Sequence, residues 1–191
     1  GIINTNVFRT GSFRDANVTG LVSNIFNKRN TYNIRAEVKM SNVNKMTGTE
    51  TGYSSFFFIR KAHGKFRYSF DHSYADTKYD INDIGLQFRN NFNNFGIDAS
   101  YRIFEPTETW NRYSIGTYVN YTRLANPSTF TGFGFGGWAN GTTRKLNSAG
   151  VNLNLNPGEQ FDYFEPRKEG AFFVTKNRVN TNGWFESNSN K

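Results

Sequence analysis

Residues 31–41 read TYNIRAEVKMS. Tyr32, Ile34, Ala36, Val38 and Met40 alternate with Asn33, Arg35, Glu37, Lys39 and Ser41 without a slip. Successive side chains of a strand point to opposite faces, so this stretch is a strand with one apolar and one charged face. It is long for a strand, and a tilted strand crosses the hydrocarbon of a bilayer with about 9–11 residues. Taken alone, the stretch fits a membrane β-barrel and a soluble β-sandwich equally. The pattern elsewhere in the chain decides between them.

Composition narrows the choice. Of the 191 residues only 36% are hydrophobic and the mean hydropathy is −0.67, yet 17% are aromatic, with 20 Phe and 10 Tyr. A disordered chain would lack those rings. Low hydropathy combined with many aromatics suits a barrel whose strands are polar on one face and carry aromatic girdles on the other. No apolar run is long enough for a transmembrane helix. The chain has no Cys, which excludes disulfides and thiolate metal sites. The net charge of +8 is spread singly over alternating strands rather than in a basic block, so nucleic acid is not expected as a partner.

The same alternation recurs along the chain. Residues 1–15 are irregular, a loop or an incomplete strand, and 17–27 form a weak strand that turns at 28–30 into the stretch quoted above. A polar loop is expected at 42–50, then a strand at 51–62 and a tight turn at His63-Gly64. Residues 65–75 alternate cleanly, with Phe66, Tyr68, Phe70, His72 and Tyr74 on one face. A loop at 76–83 leads to a strand at 84–91, a turn at Asn93-Asn94 and a clean strand at 95–104. Further strands are expected at 110–124, 129–139, 143–156 and 168–177, with turns at 125–128 and Asn140-Gly141. A loop holding Pro157-Gly158 and Pro166 follows 143–156, and 183–187 reads as the start of one more strand. This is an all-β chain of about ten antiparallel strands with no helical periodicity, an up-and-down transmembrane β-barrel. It is treated as one segment, 1–191, of a longer protein, because it opens on Gly1 without a signal-peptide pattern and does not close on an aromatic strand.

Motifs that suggest chemistry have plainer readings. Residues 132–137, GFGFGG, fit G-x-G-x-x-G, but a Trp and an Asn-Gly pair follow where a dinucleotide site needs a helix. Glu159, Asp162, Glu165 and Arg167 lie in a Pro- and Gly-containing loop without a converging second carboxylate pair. Asp76, Asp80 and Asp83 lack the spacing of a Ca²⁺ loop. His63 and His72 without Cys make no metal site. No catalytic residue, cofactor or metal is expected, and the chain is read as a non-enzyme. The polar faces carry Arg35, Glu37, Lys39, Arg67, Asp71, Arg89, Asp98 and Arg102, the candidates for a water-filled lumen. A charge turned toward lipid costs about 2–4 kcal/mol for Arg or Lys at midplane.

Three segments carry a resemblance: YDINDIG at 79–85, Asn90-Asn91, and NPGEQFDYFEPR at 156–167. The chain resembles the C-terminal barrel of a Bacteroidota outer-membrane family of unknown function, whose members place a carbohydrate-binding domain like that of family 9 before the barrel. The resemblance implies an outer-membrane location, with outer-membrane lipid as partner, and points to glycan handling or envelope assembly with other envelope proteins. The functional expectation is a non-enzymatic barrel acting as pore, scaffold or subunit of an envelope complex. Two alternatives stay open: a soluble carbohydrate-binding β-sandwich or glycan-degradation accessory domain, and part of a TonB-dependent transporter barrel.

Overall fold

The computed structural model describes residues 1–11, 14–83, 85–87, 89–168 and 170–188. They form ten strands in one antiparallel sheet, ordered as in the sequence: β1 (Ile2–Val7), β2 (Asp15–Phe26), β3 (Tyr32–Lys45), β4 (Gly48–Lys61), β5 (Phe66–Ala75), β6 (Phe92–Ile103), β7 (Trp110–Arg123), β8 (Phe130–Thr143), β9 (Ser148–Asp162) and β10 (Phe173–Glu186). Every strand pairs only with its neighbours in the chain. The expected closure into a barrel is not seen: β1 and β10 are the two edges of an open sheet. No helix among the described residues is long and apolar enough to cross a membrane, which leaves crossing by strands untouched.

Register turns the alternation of single strands into two continuous faces. One rung runs Ile25, Ile34, Ile59, Phe70, Ile97, Val119, Phe135, Leu155 and Val179, apolar from β2 to β10 without a break. Cross-strand partners share a face, so the rung fixes the whole apolar side of the sheet. One residue along β3, the opposite and polar side begins, carrying Arg35, Glu37, Lys39 and Ser41 on β3 and Asp71 on β5.

The faces are inverted relative to a sheet packed in water. On β3, Ile34 is 40% exposed and Val38 55%, while Asn33 is 4%, Glu37 8% and Ser41 0% exposed. These apolar side chains stand in the open, while Asn33, Glu37 and Ser41 are covered and Arg35 reaches out. Crowding on the polar side is visible at its glycines. A Cβ on Gly116 would meet the Trp138 ring at 2.7 Å, and one on Gly132 would meet the Gln160 amide oxygen at 2.7 Å.

Several expected boundaries move. Residues 42–50 are not a loop: β3 runs to Lys45, residues 46–47 turn, and β4 begins at Gly48 with φ +122°. Polar rungs carry the hairpin there, with Thr51 Oγ1 donating to Asn42 Oδ1 and Thr49 Oγ1 to Asn44 Oδ1, both at 2.7 Å. Asn140-Gly141 lies inside β8 rather than at its turn, and the chain reverses at 144–147. The glycine serves packing, since the Trp110 ring lies 2.7 Å from where its Cβ would be. Asn93-Asn94 belong to β6, paired with Tyr74 and Ser73. Pro157-Gly158 sit within β9 at a bulge opposite β10, where Gly158 (φ +74°) faces Asn177 (φ 29°). The expected segments 168–177 and 183–187 overlap one strand, β10, which begins only at Phe173 and runs on between them.

The strand expected at 84–91 is instead part of a long connection, residues 76–91. Its side chains hold its own backbone: Asp80 Oδ1 accepts the Asn82 N–H at 2.9 Å, and Asn82 Oδ1 accepts the Gln87 N–H at 3.0 Å. Such local bonds compete with a strand ladder and win here. Ile84 and Phe88, two of the three apolar residues that suggested the strand, lie outside the described residues.

An up-and-down sheet sends its connections alternately to two ends. At one end they span 8–14, 46–47, 76–91, 124–129 and 163–172, and at the other 27–31, 62–65, 104–109 and 144–147. These are the long-loop end and the short-turn end.

Candidate functional site

The polar face of the sheet and the loops folded over it are the candidate site. Residues 76–83 lie on this face across β3 and β4. Gly52 of β4 touches the backbone of Lys78 and Tyr79 so closely that no side chain fits there. The Asp80 N–H donates to Ser41 Oγ at 3.0 Å, and Tyr79 is buried. Asp76 starts the descent by accepting the N–H groups of Lys78 and Tyr79 at 2.9 and 2.7 Å and that of Tyr53 on β4 at 2.8 Å. Burial and the nearby Glu37 carboxylate push the Tyr79 phenol above its ordinary range.

The β1–β2 connection clamps this loop. Arg14 bridges Asp80 at 2.6 Å and Asp83 at 2.5 Å, and Arg9 reaches Asp83 at 2.7 Å. The hydrogen bonds that Arg14 donates to Asp80 and then to Asp83 raise its guanidinium above the ordinary value. Burial by itself would raise both carboxyls. For Asp83 the bonds from Arg14 and Arg9 outweigh it, and for Asp80 the Asn82 N–H and Arg14 do so, leaving both below the usual carboxylate range. Further round the same end, Asn91 and Asn126 exchange two bonds of 2.8 Å, and Arg89 lies 3.7 Å from Asp162 and 5.0 Å from the Phe164 ring centre.

The expected lumen residues fall into groups. Arg35, Glu37 and Lys39 are neighbours on one face of β3, where Glu37 bonds Arg35 and lies 2.6 Å from Lys39. That triad is internally neutralised to a single excess positive charge. Asp71 on β5 reaches over Gly96 of β6, and Asp98 stands opposite Ser69 on the same face. Arg67 and Arg102 lie near the short-turn end of this face. Arg89 is not on a strand but in the 76–91 connection, because that segment is a loop. Three polar-face arginines were missed. Arg60 follows Ser54, Phe56 and Phe58, a face too apolar to read as polar, and Arg112 precedes the clean part of β7. Arg178 falls between the expected strands 168–177 and 183–187 and pairs with Asn156, which lies against Gly134.

The other motifs take structural places. Asp162 accepts the N–H groups of Phe164 and Glu165 at 2.9 and 3.1 Å, and Glu159 lies 3.4 Å from Lys176. His63 is in the 62–65 turn, and His72 contacts Asn93 at 2.8 Å and the Phe95 ring on the apolar face. Residues 132–137 are in the middle of β8. Among the described residues no group of three or more His, Cys, Asp or Glu is placed to hold a metal ion.

No curated protein and no solved structure matches the chain. A family model does match it, over the full span of residues 1–191, and the chain therefore belongs to the family described as a domain of unknown function, DUF5916.

Proposed function

We propose that the chain is a wall of a non-enzymatic outer-membrane β-barrel, with its apolar face toward lipid and its polar face toward a water-filled lumen. The observation that carries this reading is the inversion of the two faces. A soluble β-sandwich buries its apolar rungs against a second sheet. Here the apolar rung from Ile25 to Val179 has no covering layer among the described residues, whereas Ser41 and Glu37 are covered. Monomeric soluble proteins rarely leave so broad an apolar surface bare.

The ends of the sheet support the same orientation. Outer-membrane barrels have short periplasmic turns and longer extracellular loops. By that rule the end carrying 8–14, 76–91 and 163–172 is extracellular and the 27–31, 62–65 and 144–147 end periplasmic. The lacing of Arg14 to Asp80 and Asp83 makes the outer loops a partial cover over β3 and β4. Since open sheet edges are not tolerated in hydrocarbon, β1 and β10 need partner strands in this setting. The role is that of a pore, scaffold or subunit of an envelope complex.

The test is insertion of the full-length protein into lipid vesicles. Trypsin added outside is expected to cut in the connections while leaving β3 and β5–β7, with their internal Arg and Lys, intact. A protein that stays folded and monodisperse in buffer without detergent, with these strands cut freely in the presence of vesicles, would overturn the reading.

A further inference from the structure

Four arginines on successive strands stand at one level of the polar face. Arg60 pairs with Ser69, Arg67 with Ser100, Arg102 with Ser114 and Arg112 with Thr142. Read along the ladders, each arginine is displaced two residues toward the short-turn end from the one on the strand before it. The strands are displaced the same way: β4 ends at Lys61, β5 starts at Phe66, β6 ends at Ile103 and β7 starts at Trp110. Each arginine is thus one or two residues from its strand's short-turn end. The stagger of the sheet cancels the stagger of the sequence positions and leaves a row of guanidinium groups across four strands.

These groups differ from the paired charges of the polar face. Arg35 and Lys39 share Glu37, and Arg14 has two aspartates. Among the described residues none of Arg60, Arg67, Arg102 and Arg112 makes an ion pair. Three lie over aromatic rings: Arg60 over Phe58 at 5.6 Å, Arg67 over Phe104 at 5.7 Å and Arg102 over Trp138 at 5.6 Å. Ring contact uses the flat face of a guanidinium and leaves its edge donors open. The side-chain bonds that do form use Nε: Arg67 to Gly64 O at 3.1 Å, Arg102 to Ser100 Oγ at 3.4 Å and Arg112 to Thr142 Oγ1 at 3.3 Å. Among the described residues the terminal Nη forks are left unengaged. A cavity of about 480 Å³ lies against the first three, with Asp98 the one carboxylate in its wall among the described residues.

We propose that this row is a binding site for a soluble phosphate-bearing solute, at the short-turn mouth of the lumen. Several planar forks at one level offer more donors than the single edge of a carboxylate can use, whereas a tetrahedral dianion accepts from more than one fork. Rings of Arg or Lys are the usual device of anion and phosphate pores. The row is on the face opposite the exposed apolar rung, so the anion comes from water rather than from a lipid headgroup. The proposal rests on the reading of the polar face as water-filled.

Inorganic phosphate is the probe, titrated calorimetrically into the full-length protein in neutral detergent, at low and fixed ionic strength. The wild type is expected to bind saturably. R60Q/R67Q/R102Q should weaken binding tenfold or more and R112Q severalfold, whereas R178Q, on β10 at the other end, should stay within twofold. Absence of saturable binding by the wild type, or equal binding by the triple variant, overturns the proposal. So does loss of phosphate binding when phosphatidylglycerol is added to the micelle, since that assigns the row to lipid. If the triple variant does not refold, as judged by circular dichroism, R67Q and R102K decide: R67Q must weaken binding and R102K must weaken it less than R102Q. The outcome is separable from the membrane reading. Binding without vesicle insertion keeps the site and sinks the barrel wall, and insertion without binding does the reverse.

Discussion

Gly52 and Ser41 are where the sheet and the 76–91 loop meet. A Cβ on Gly52 overlaps the backbone of Lys78 and Tyr79, and both partners there are main chain, which cannot swing aside. Gly52→Val should therefore expel the loop rather than merely crowd it, at a cost of about 1–3 kcal/mol typical of overpacking. Trypsin cleavage after Lys78 reads the change directly and is expected to accelerate in the variant, with unchanged cleavage in the 27–31 turn. The Arg14 clamp adds a pH dependence. Asp80 and Asp83 sit below their ordinary range when docked, so their contribution to docking is complete above their free value of about 3.9. It is lost as pH falls from there through the depressed docked values. Hydrogen exchange at the Asp80 amide, which donates to Ser41 Oγ, should speed up over that acid window relative to amides at the centre of β3. In Arg14→Gln the loosening should begin at higher pH, because the carboxyls lose the partner that holds them down.

At the scale of elements, the decisive property is which face of a strand a residue occupies. Val38 is on the apolar rung system of β3 and is 55% exposed, while Asn120 lies on the polar face of β7 between Gly96 and Gly134. In a membrane wall, Val38→Arg should lower the unfolding free energy in vesicles by about 2–4 kcal/mol, and Asn120→Arg by much less. Urea titration of both variants in the same lipid checks the contrast, and equal effects would place neither face against hydrocarbon. The alternation that makes this contrast was legible in the sequence at 31–41, 65–75 and 95–104, where apolar and polar residues take turns with few exceptions, such as His72 on the apolar face and Ala75 on the polar one. It was not legible at 42–45, where Asn42 and Asn44 continue β3 through side-chain rungs to Thr51 and Thr49. Polar pairs support a strand as well as apolar ones do, but they look like a loop in a hydropathy pattern. Asn140-Gly141 misled for the opposite reason, since its turn chemistry is real but its glycine makes room for Trp110. The arginine row could not be read at all before the register was known. Arg60, Arg67, Arg102 and Arg112 have irregular spacing in the chain, and only the two-residue stagger of β4–β7 brings them level.

For the whole molecule, the open question of architecture lies at β10. All fourteen residues of this strand are exposed, and among the described residues one of its backbone edges is unpaired. Within a strand, successive N–H groups point to alternate sides, so an edge strand secures only every second amide through its one neighbour. β9 supplies that neighbour from Ser148 to Asp162, interrupted by the bulge at Lys176 and Arg178. A bare edge of this length pairs with whatever strand it meets, and in hydrocarbon it leaves a row of unsatisfied donors and acceptors. If the sheet is part of a closed wall, β10 must be hydrogen-bonded on both sides in the folded full-length protein. Hydrogen exchange resolved to single residues is then expected to show continuous slow exchange from Val179 to Phe185, with odd and even positions alike. An edge left bare would give alternation instead, with every second amide exchanging at the rate of a surface loop. The same experiment on β1 should give continuous protection from Ile3 to Val7, because closure needs both edges occupied; alternation at both strands would make the sheet an open one and remove the wall that the apolar rung suggests.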